Sequence, residues 1–240
     1  MADAGAKNVV LVHGGFVDGS GWEGVYRILK RAGYSVTIVQ NPTLSLADDV
    51  AVTRRALAAQ NGPAVLVGHS YGGVVITEAG TDPKVAALVY VAAFAPDEGE
   101  SLQEIEGGSQ DSILPSALRQ TDYPVGSGSE MMGELSIDLD LFREAFAADL
   151  PAEQAAVMAR SQRPVSVAAF GEKTGTPAWK KLPSWAVVAT RDKAAGSDVV
   201  LSMARRAGAE VIAVDASHVP MMSQPGVVAG VILTAAKAVA

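Results

Sequence analysis

The stretch Val65-Leu66-Val67-Gly68-His69-Ser70-Tyr71-Gly72-Gly73-Val74-Val75 constrains this chain more than any other. Three apolar residues, two of them β-branched, run into a Gly-x-Ser-x-Gly pentapeptide, and an apolar helical pattern runs out of it. A strand that turns so sharply into a helix needs residues without Cβ at Gly68 and Gly72, because a side chain there would collide with the neighbouring strand or helix. The turn holds Ser70 Oγ exposed at the edge of a sheet. It also aims the Tyr71 N–H at the start of a helix, where unpaired amide donors stabilise a developing negative charge. The pentapeptide alone arises by chance in about one such chain in six; the strand before it and the helix after it make it specific.

The same alternation continues on both sides. Residues 8–12, 35–39, 85–91, 185–189 and 210–214 read as further short apolar strands, several ending in Gly, Asn-Pro or Thr. Between them Ser20 suits the cap of a helix through Trp22, Val25, Ile28 and Leu29, and Ser45 suits the cap of the next. Residues 197–207 and 227–239 read as the last two helices. Alternating strands and helices imply right-handed crossovers and a mostly parallel α/β sheet with helices on both faces, which takes ligands beyond the carboxyl ends of its strands. From 97 to 183 the alternation fails. Gly107-Gly108, Pro115, Gly126-Ser127-Gly128 and Pro151 punctuate a polar stretch whose clearest helices are 139–148 and 152–159, with Phe142, Phe146, Val157 and Met158 as apolar surface. A segment of this length is more than a loop. The expected organisation is a core of residues 1–96 and 184–240, with 97–183 inserted as a helical cap that supplies substrate walls.

A serine hydroxyl attacks only when a base takes its proton. The chain has three histidines. His69 leaves the turn on the far side from Ser70, and His13 opens the loop after the first strand, where Gly14 and Gly15 let backbone approach a substrate. His218, just past the last strand, is the expected general base. Asp192, directly after the strand that ends at Ala189, is the expected acid that orients it, with Asp198 and Asp215 as rivals. Ser70, Asp192 and His218 then follow the chain order Ser, Asp, His. The oxyanion donors are expected to be the N–H groups of Tyr71 and Gly15. Phe16, Phe94 and Trp185 are the expected substrate walls.

Composition removes other classes. No Cys means no disulfide framework, thiolate nucleophile or zinc–thiolate site. A net charge of −7 with scattered basic pairs argues against nucleic acid. The longest apolar runs, 85–96 and 226–236, fall short of the roughly 20 residues a membrane span needs. The first seven residues carry an acid and no apolar run, so no secretory leader is expected and the chain is placed in the cytoplasm. Gly19-Ser20-Gly21-Trp22-Glu23-Gly24 matches a dinucleotide-binding glycine pattern, but it starts too far past Val12 for the tight turn, and Trp22 is bulky where backbone must meet pyrophosphate.

His13-Gly14-Gly15, Gly68-His69-Ser70-Tyr71-Gly72-Gly73, Asp192 and Ser217-His218-Val219-Pro220 together resemble the α/β-hydrolase superfamily. Leu11-Val12-His13-Gly14-Gly15 with Gly21-Trp22, and Ser217-His218 with Ser223-Gln224-Pro225, are similar to the small bacterial hydrolases related to plant methylesterases and hydroxynitrile lyases. The resemblance implies a six-stranded sheet, a helical cap, no cofactor, and Ser70, Asp192 and His218 as a catalytic triad. There are two departures. Lyases of this group use a lysine and a threonine at the positions of Val219 and Gly14. Relatives also often follow the acid with an apolar residue and proline, where this chain has Ala194-Ala195-Gly196-Ser197. The resulting expectation is a serine esterase for a small, mostly apolar carboxylic ester, compatible with a homodimer; a lyase-like enzyme or a ligand-binding receptor on the same fold are the alternatives.

Overall fold

Every run read above as a strand becomes a strand of one sheet in the computed structural model, which describes residues 5–239. Met1 to Ala4, which open the stretch read for a leader, lie outside the described residues. In chain order the first half is β1 (Asn8–Val12), α1 (Glu23–Arg31), β2 (Ser35–Val39), α2 (Leu46–Ala58), β3 (Ala64–His69), α3 (Gly72–Ala79) and β4 (Val85–Val91). An insertion follows: α4 (Leu102–Gly107), α5 (Leu114–Ala117), β5 (Leu118–Pro124), β6 (Met131–Ile137), α6 (Phe142–Phe146), α7 (Ala152–Arg160), β7 (Val165–Ser166) and α8 (Val167–Gly171). The core then resumes with β8 (Ser184–Ala189), α9 (Ser197–Arg206), β9 (Glu210–Val214), α10 (Pro220–Ser223) and α11 (Pro225–Ala238).

The main sheet has six strands in the order β2-β1-β3-β4-β8-β9, every pairing parallel. Every residue of β1, β3 and β8 is buried, so both faces of the sheet are covered, which is why these strands read as continuous apolar runs. The outer strands β2 and β9 keep exposed positions. Two helix pairs, α1 with α11 and α2 with α3, pack on the sheet, and α9 packs on β8 and β9. The chain leaves β1 to one side for β2 and returns to the other side for β3, so the order reverses between β1 and β3. Their carboxyl ends lie side by side there, Val12 opposite Gly68 in register.

Local signals hold with one adjustment. Ser45 caps α2, its hydroxyl accepting from the Asp48 N–H at 3.0 Å. Ser20 does not cap α1: Asp18 accepts from the Ser20 N–H at 2.7 Å and starts a short 3₁₀ turn, Gly19–Trp22, that leads into the helix. The glycine pattern 19–24 is used up in this turn and the first residues of α1, with Trp22 fully buried in the core. Among the described residues no helix is long and apolar enough to cross a membrane.

The insertion is helical, as expected, and also carries a small antiparallel sheet, β5-β6-β7, that its sequence does not announce. The reason is exposure: β5 and most of β6 are partly or fully open to solvent, so no clean apolar alternation marks them. Gly126-Ser127-Gly128 lie in the turn of that hairpin, closed by the Val125 N–H to Glu130 O at 2.9 Å. Helix 139–148 shrinks to α6. Phe142 and Phe146 are buried, whereas Val157 is 63% exposed and contributes nothing to the core.

The carboxyl ends of the first four strands share an unusual backbone feature. Phe16, Thr43, Ser70 and Ala92 follow β1, β2, β3 and β4 and have φ of +62°, +58°, +53° and +44°, a region that disfavours residues with a Cβ and concentrates at functional sites. At the β3 turn the two motif glycines are sterically required. A Cβ on Gly72 would lie 2.7 Å from the carbonyl oxygens of both Val12 and His13, and one on Gly68 would lie 2.5 Å from the Gly72 oxygen. These are backbone atoms that cannot swing aside. Gly72→Ala is therefore expected to lower the unfolding free energy by about 1–3 kcal/mol or more, read as a fall in the urea midpoint. Gly230→Ala, in α11 with open space around the new methyl, is expected to leave the midpoint unchanged or raise it by up to about 1 kcal/mol equivalent.

Candidate active site

The loops that follow β8 and β9 run side by side because their strands pair to the last residue and the pairing continues beyond them. The Thr190 N–H reaches Val214 O at 2.9 Å and the Arg191 N–H reaches Ala216 O at 3.1 Å. This carries Asp192 and His218 together: His218 Nδ1 lies 2.8 Å from Asp192 Oδ2, both side chains buried. A ring that donates from Nδ1 to a carboxylate presents Nε2 as its acceptor in the neutral form. Asp192 Oδ1 accepts from the Ala194 and Ala195 N–H groups at 2.9 Å each, and Ser197 Oγ accepts from the Asp192 N–H at 3.1 Å. The sequence Ala194-Ala195-Gly196-Ser197 thus builds its own support for the acid, using an N–H that a proline would lack. The rivals are engaged elsewhere. Asp215 pairs with Arg191 at the surface, and Asp198 holds the insertion through Ser109 Oγ and the Gln110 N–H.

Neither of the other histidines is free to act as a base. His13 Nε2 accepts from the Asn41 N–H at 2.9 Å, which places its proton on Nδ1, 2.7 Å from Gly14 O. Burial lowers its pKa and keeps it neutral. His69 Nε2 donates to His218 O at 2.8 Å. Its ring is fully buried, in edge contact with Trp22 and Phe146 and tilted against His218, with centroids 4.8 Å apart. Burial, then the neighbouring His218, hold its pKa well below the ordinary histidine range. His69 is therefore a neutral strut between the serine turn and the loop that carries His218. On the other side of that loop Ser217 donates to Asp149 of the insertion.

Ser70 and His218 line one small cavity together with Gly15, Phe16, Tyr71 and Phe94. Its free volume is about 10 Å³, room for roughly one water. The N–H groups of Gly15 and Tyr71 make no hydrogen bond to another described residue, so two amide donors stand unpaired beside the serine. Trp185 does not belong here. It opens β8, at the opposite end of the strand from the site, and its indole donates to Glu210 at 2.9 Å; an aromatic in a buried strand says nothing about which end of the sheet it serves. Sequence reasoning missed Leu102, Glu106, Leu114, Phe146 and Phe170, all from the insertion, and the Ala194-Ala195 wall. Phe146 had a signal as an apolar residue in a polar segment; Glu106 had none.

The residue after the serine reaches away from the cavity into a second buried network. Tyr71 OH donates to Asp49 Oδ2 at 2.7 Å, and the Thr43 N–H donates to Asp49 Oδ1 at 2.9 Å. Thr43 in turn meets the insertion, its hydroxyl 2.9 Å from Pro164 O and its carbonyl accepting from the Ser166 N–H. The serine turn, α2 and the base of the insertion are therefore tied through one carboxylate.

Residues 9–231 match the model of a family described as the alpha/beta hydrolase family. A carbendazim hydrolyzing esterase of Nocardioides sp. (strain SG-4G) is 31% identical over 125 residues, covering 46% of this chain and 48% of that protein, about half of each. The alpha/beta hydrolase nvfD of Aspergillus novofumigatus is 25% identical over 252 residues, covering 95% of this chain and 96% of its own. Among solved structures, polyneuridine aldehyde esterase superposes with a TM-score of 0.81 over 95% of this chain and 98% of that one at 20% identity, a likeness of fold.

Asp49 gives the site a pH signature. Burial raises its pKa from the ordinary 3.8 to about 6, against the lowering effect of its two hydrogen bonds. The folded state holds this proton more tightly than the unfolded state, so the unfolding free energy falls as pH rises from about 4 to about 6, and the full cost of the buried charge is present above that. Urea midpoints of the native protein and Asp49→Asn between pH 4 and pH 7 are expected to diverge in that window. The native protein should lose up to about 3 kcal/mol relative to the variant as pH rises.

Proposed function

Because the chain belongs to the alpha/beta hydrolase family, we propose that it is a serine hydrolase that cleaves a small, mostly apolar carboxylic ester through an acyl-enzyme. The observation that carries this reading is the convergence on one cavity of Ser70, of the His218 ring backed by Asp192 at 2.8 Å, and of two unpaired amides. In this scheme Ser70 Oγ attacks the ester carbonyl while His218 Nε2 takes its proton. Asp192 holds the ring in the Nδ1–H tautomer and offsets the imidazolium charge. The Gly15 and Tyr71 N–H groups receive the oxyanion. Collapse of the tetrahedral intermediate expels the alcohol, protonated by His218, and water activated by the same ring releases the acid.

The walls support an apolar substrate: Phe16, Phe94, Leu102, Leu114, Phe146 and Phe170 surround the serine. The name of the Nocardioides relative, an esterase, points the same way. The lyase reading finds no support in this backbone. A side chain at Gly14 would place its Cβ 2.6 Å from Ser70 Cβ, and Val219 is a fully buried apolar residue where that route needs a lysine. A receptor without turnover leaves the Asp192–His218 pair and the unpaired amides without a purpose.

Stopped-flow release of p-nitrophenol from short-chain p-nitrophenyl esters tests the scheme. A burst followed by steady turnover is expected, absent in Ser70→Ala. Asp192→Asn should keep the fold and lose about 10³–10⁴-fold in kcat, because the ring loses its fixed tautomer. Turnover retained by Ser70→Ala would overturn the assignment.

A further inference from the structure

One carboxyl in the cavity is not used by this chemistry. Glu106, on α4, is 5% exposed and lines the space that holds Ser70 and His218. Its neighbours there are mostly apolar. The hydrogen-bond contact of its carboxyl is with Ser112 Oγ, 3.5 Å from Glu106 Oε1, but that hydroxyl has a single proton and spends it on Ala194 O at 2.7 Å while accepting from the Leu114 N–H at 3.2 Å. Ser112 can therefore accept from Glu106 but not donate to it. The second carboxyl oxygen has no hydrogen-bond partner among the described residues. A carboxylate in this position would be largely buried with no donor to its second oxygen among the described residues; a carboxylic acid would be a donor facing the cavity.

Glu106 also stands between two spaces. It and Phe170 are the shared wall between the serine cavity and a larger one of about 390 Å³, lined by the insertion residues Gln103, Pro115, Leu118, Leu135 and Val167. The serine cavity alone has room for roughly one water, so any part of a substrate that extends from it into the larger space passes Glu106.

We propose that the Glu106 carboxyl is a specificity-determining hydrogen-bond donor that selects esters carrying a second, uncharged acceptor oxygen, ether or carbonyl, beyond the scissile group. The proposal rests on the hydrolase reading and deepens it. Burial, reinforced by the negative charge of Asp192, raises the pKa of Glu106 from 4.5 to about 8, so the donor form prevails at neutral pH. The other carboxylates of the surrounding elements are taken up elsewhere: Glu104 by Lys173, Glu144 by Lys193 and Glu172 by the Leu46 N–H. His218 lines the same cavity and serves every ester alike. A ratio of two esters cancels it.

The test is a comparison of kcat/KM within two isosteric pairs, p-nitrophenyl 3-methoxypropanoate against pentanoate and 2-methoxyethyl against butyl butanoate, so that either side of the ester is sampled. The native protein is expected to prefer the methoxy member of at least one pair by about tenfold. In Glu106→Leu the ratio should drop at least tenfold. Glu106→Gln, whose amide still donates, should retain the preference, and should keep it at pH 9, where the native protein loses it as the carboxyl ionises. Turnover with no preference in either pair, or an unchanged ratio in Glu106→Leu, overturns the proposal alone. Preference for an ammonium-tailed ester that grows with pH overturns it by making Glu106 an anionic site. No turnover of any ester by the native protein overturns the hydrolase reading and this proposal with it.

Discussion

The site rests on one close approach of backbone to backbone. The first residue of α3 sits against the carbonyl oxygens at the end of β1, and only a residue without Cβ permits it. That contact holds the serine turn against the end of β1, so that Gly15, Ser70 and Tyr71 line one cavity. The cost is a serine at positive φ, part of a row of strained residues along the carboxyl edge of the sheet. Strain of about 1–3 kcal/mol per residue persists only where surrounding structure over-determines it. Here the burial of β1 and β3 on both faces supplies that determination.

Asp192 and His218 enter from the other half of the sheet, and they are positioned by hydrogen bonds more than by packing. Asp192 has its carboxylate filled by two backbone amides and the His218 ring, which keeps a buried charge compensated. His69 then connects the halves: it belongs to the serine turn by sequence and to the base loop by its bond to the His218 carbonyl. Burial leaves it neutral, so it spaces the two loops without adding a charge beside His218. Ser217 and Asp149 tie the same loop to the insertion, and Asp49 ties the insertion to Tyr71.

The insertion contributes what the core lacks. Phe146, Phe170, Leu102 and Leu114 close the cavity over the serine, and Glu106 brings the one polar group among them. Ser70, Asp192 and His218 come from strand ends that pairing holds in place, whereas Leu102, Leu114, Phe146 and Phe170 come from short helices of the insertion, an arrangement in which a rigid scaffold positions loops.

All six core strands, the serine turn and the order of the three catalytic candidates were legible in the sequence, because each is encoded locally: apolar runs for buried parallel strands, glycines where backbones touch, a histidine or aspartate just past a strand end. The choice of Asp192 over Asp198 and Asp215 was not local. It depended on which carboxylate the pairing of β8 with β9 brings to the His218 ring. Trp185 shows the converse, an aromatic whose composition suited a wall and whose place in the strand put it at the wrong end. The strands of the insertion escaped notice because their exposed faces carry no alternation. Glu106 was silent because a glutamate in a short polar helix reads as surface until folding sets it against Phe170 and the loop of Asp192, residues distant from it in the chain. The sequence by itself determined the sheet, its switch point and the serine turn, since these follow from periodicity and from steric limits on a few consecutive residues. Only the tertiary structure decided which carboxylate meets the His218 ring and which side chains line the cavity, since burial and hydrogen-bond supply at a side chain are set by neighbours from other segments.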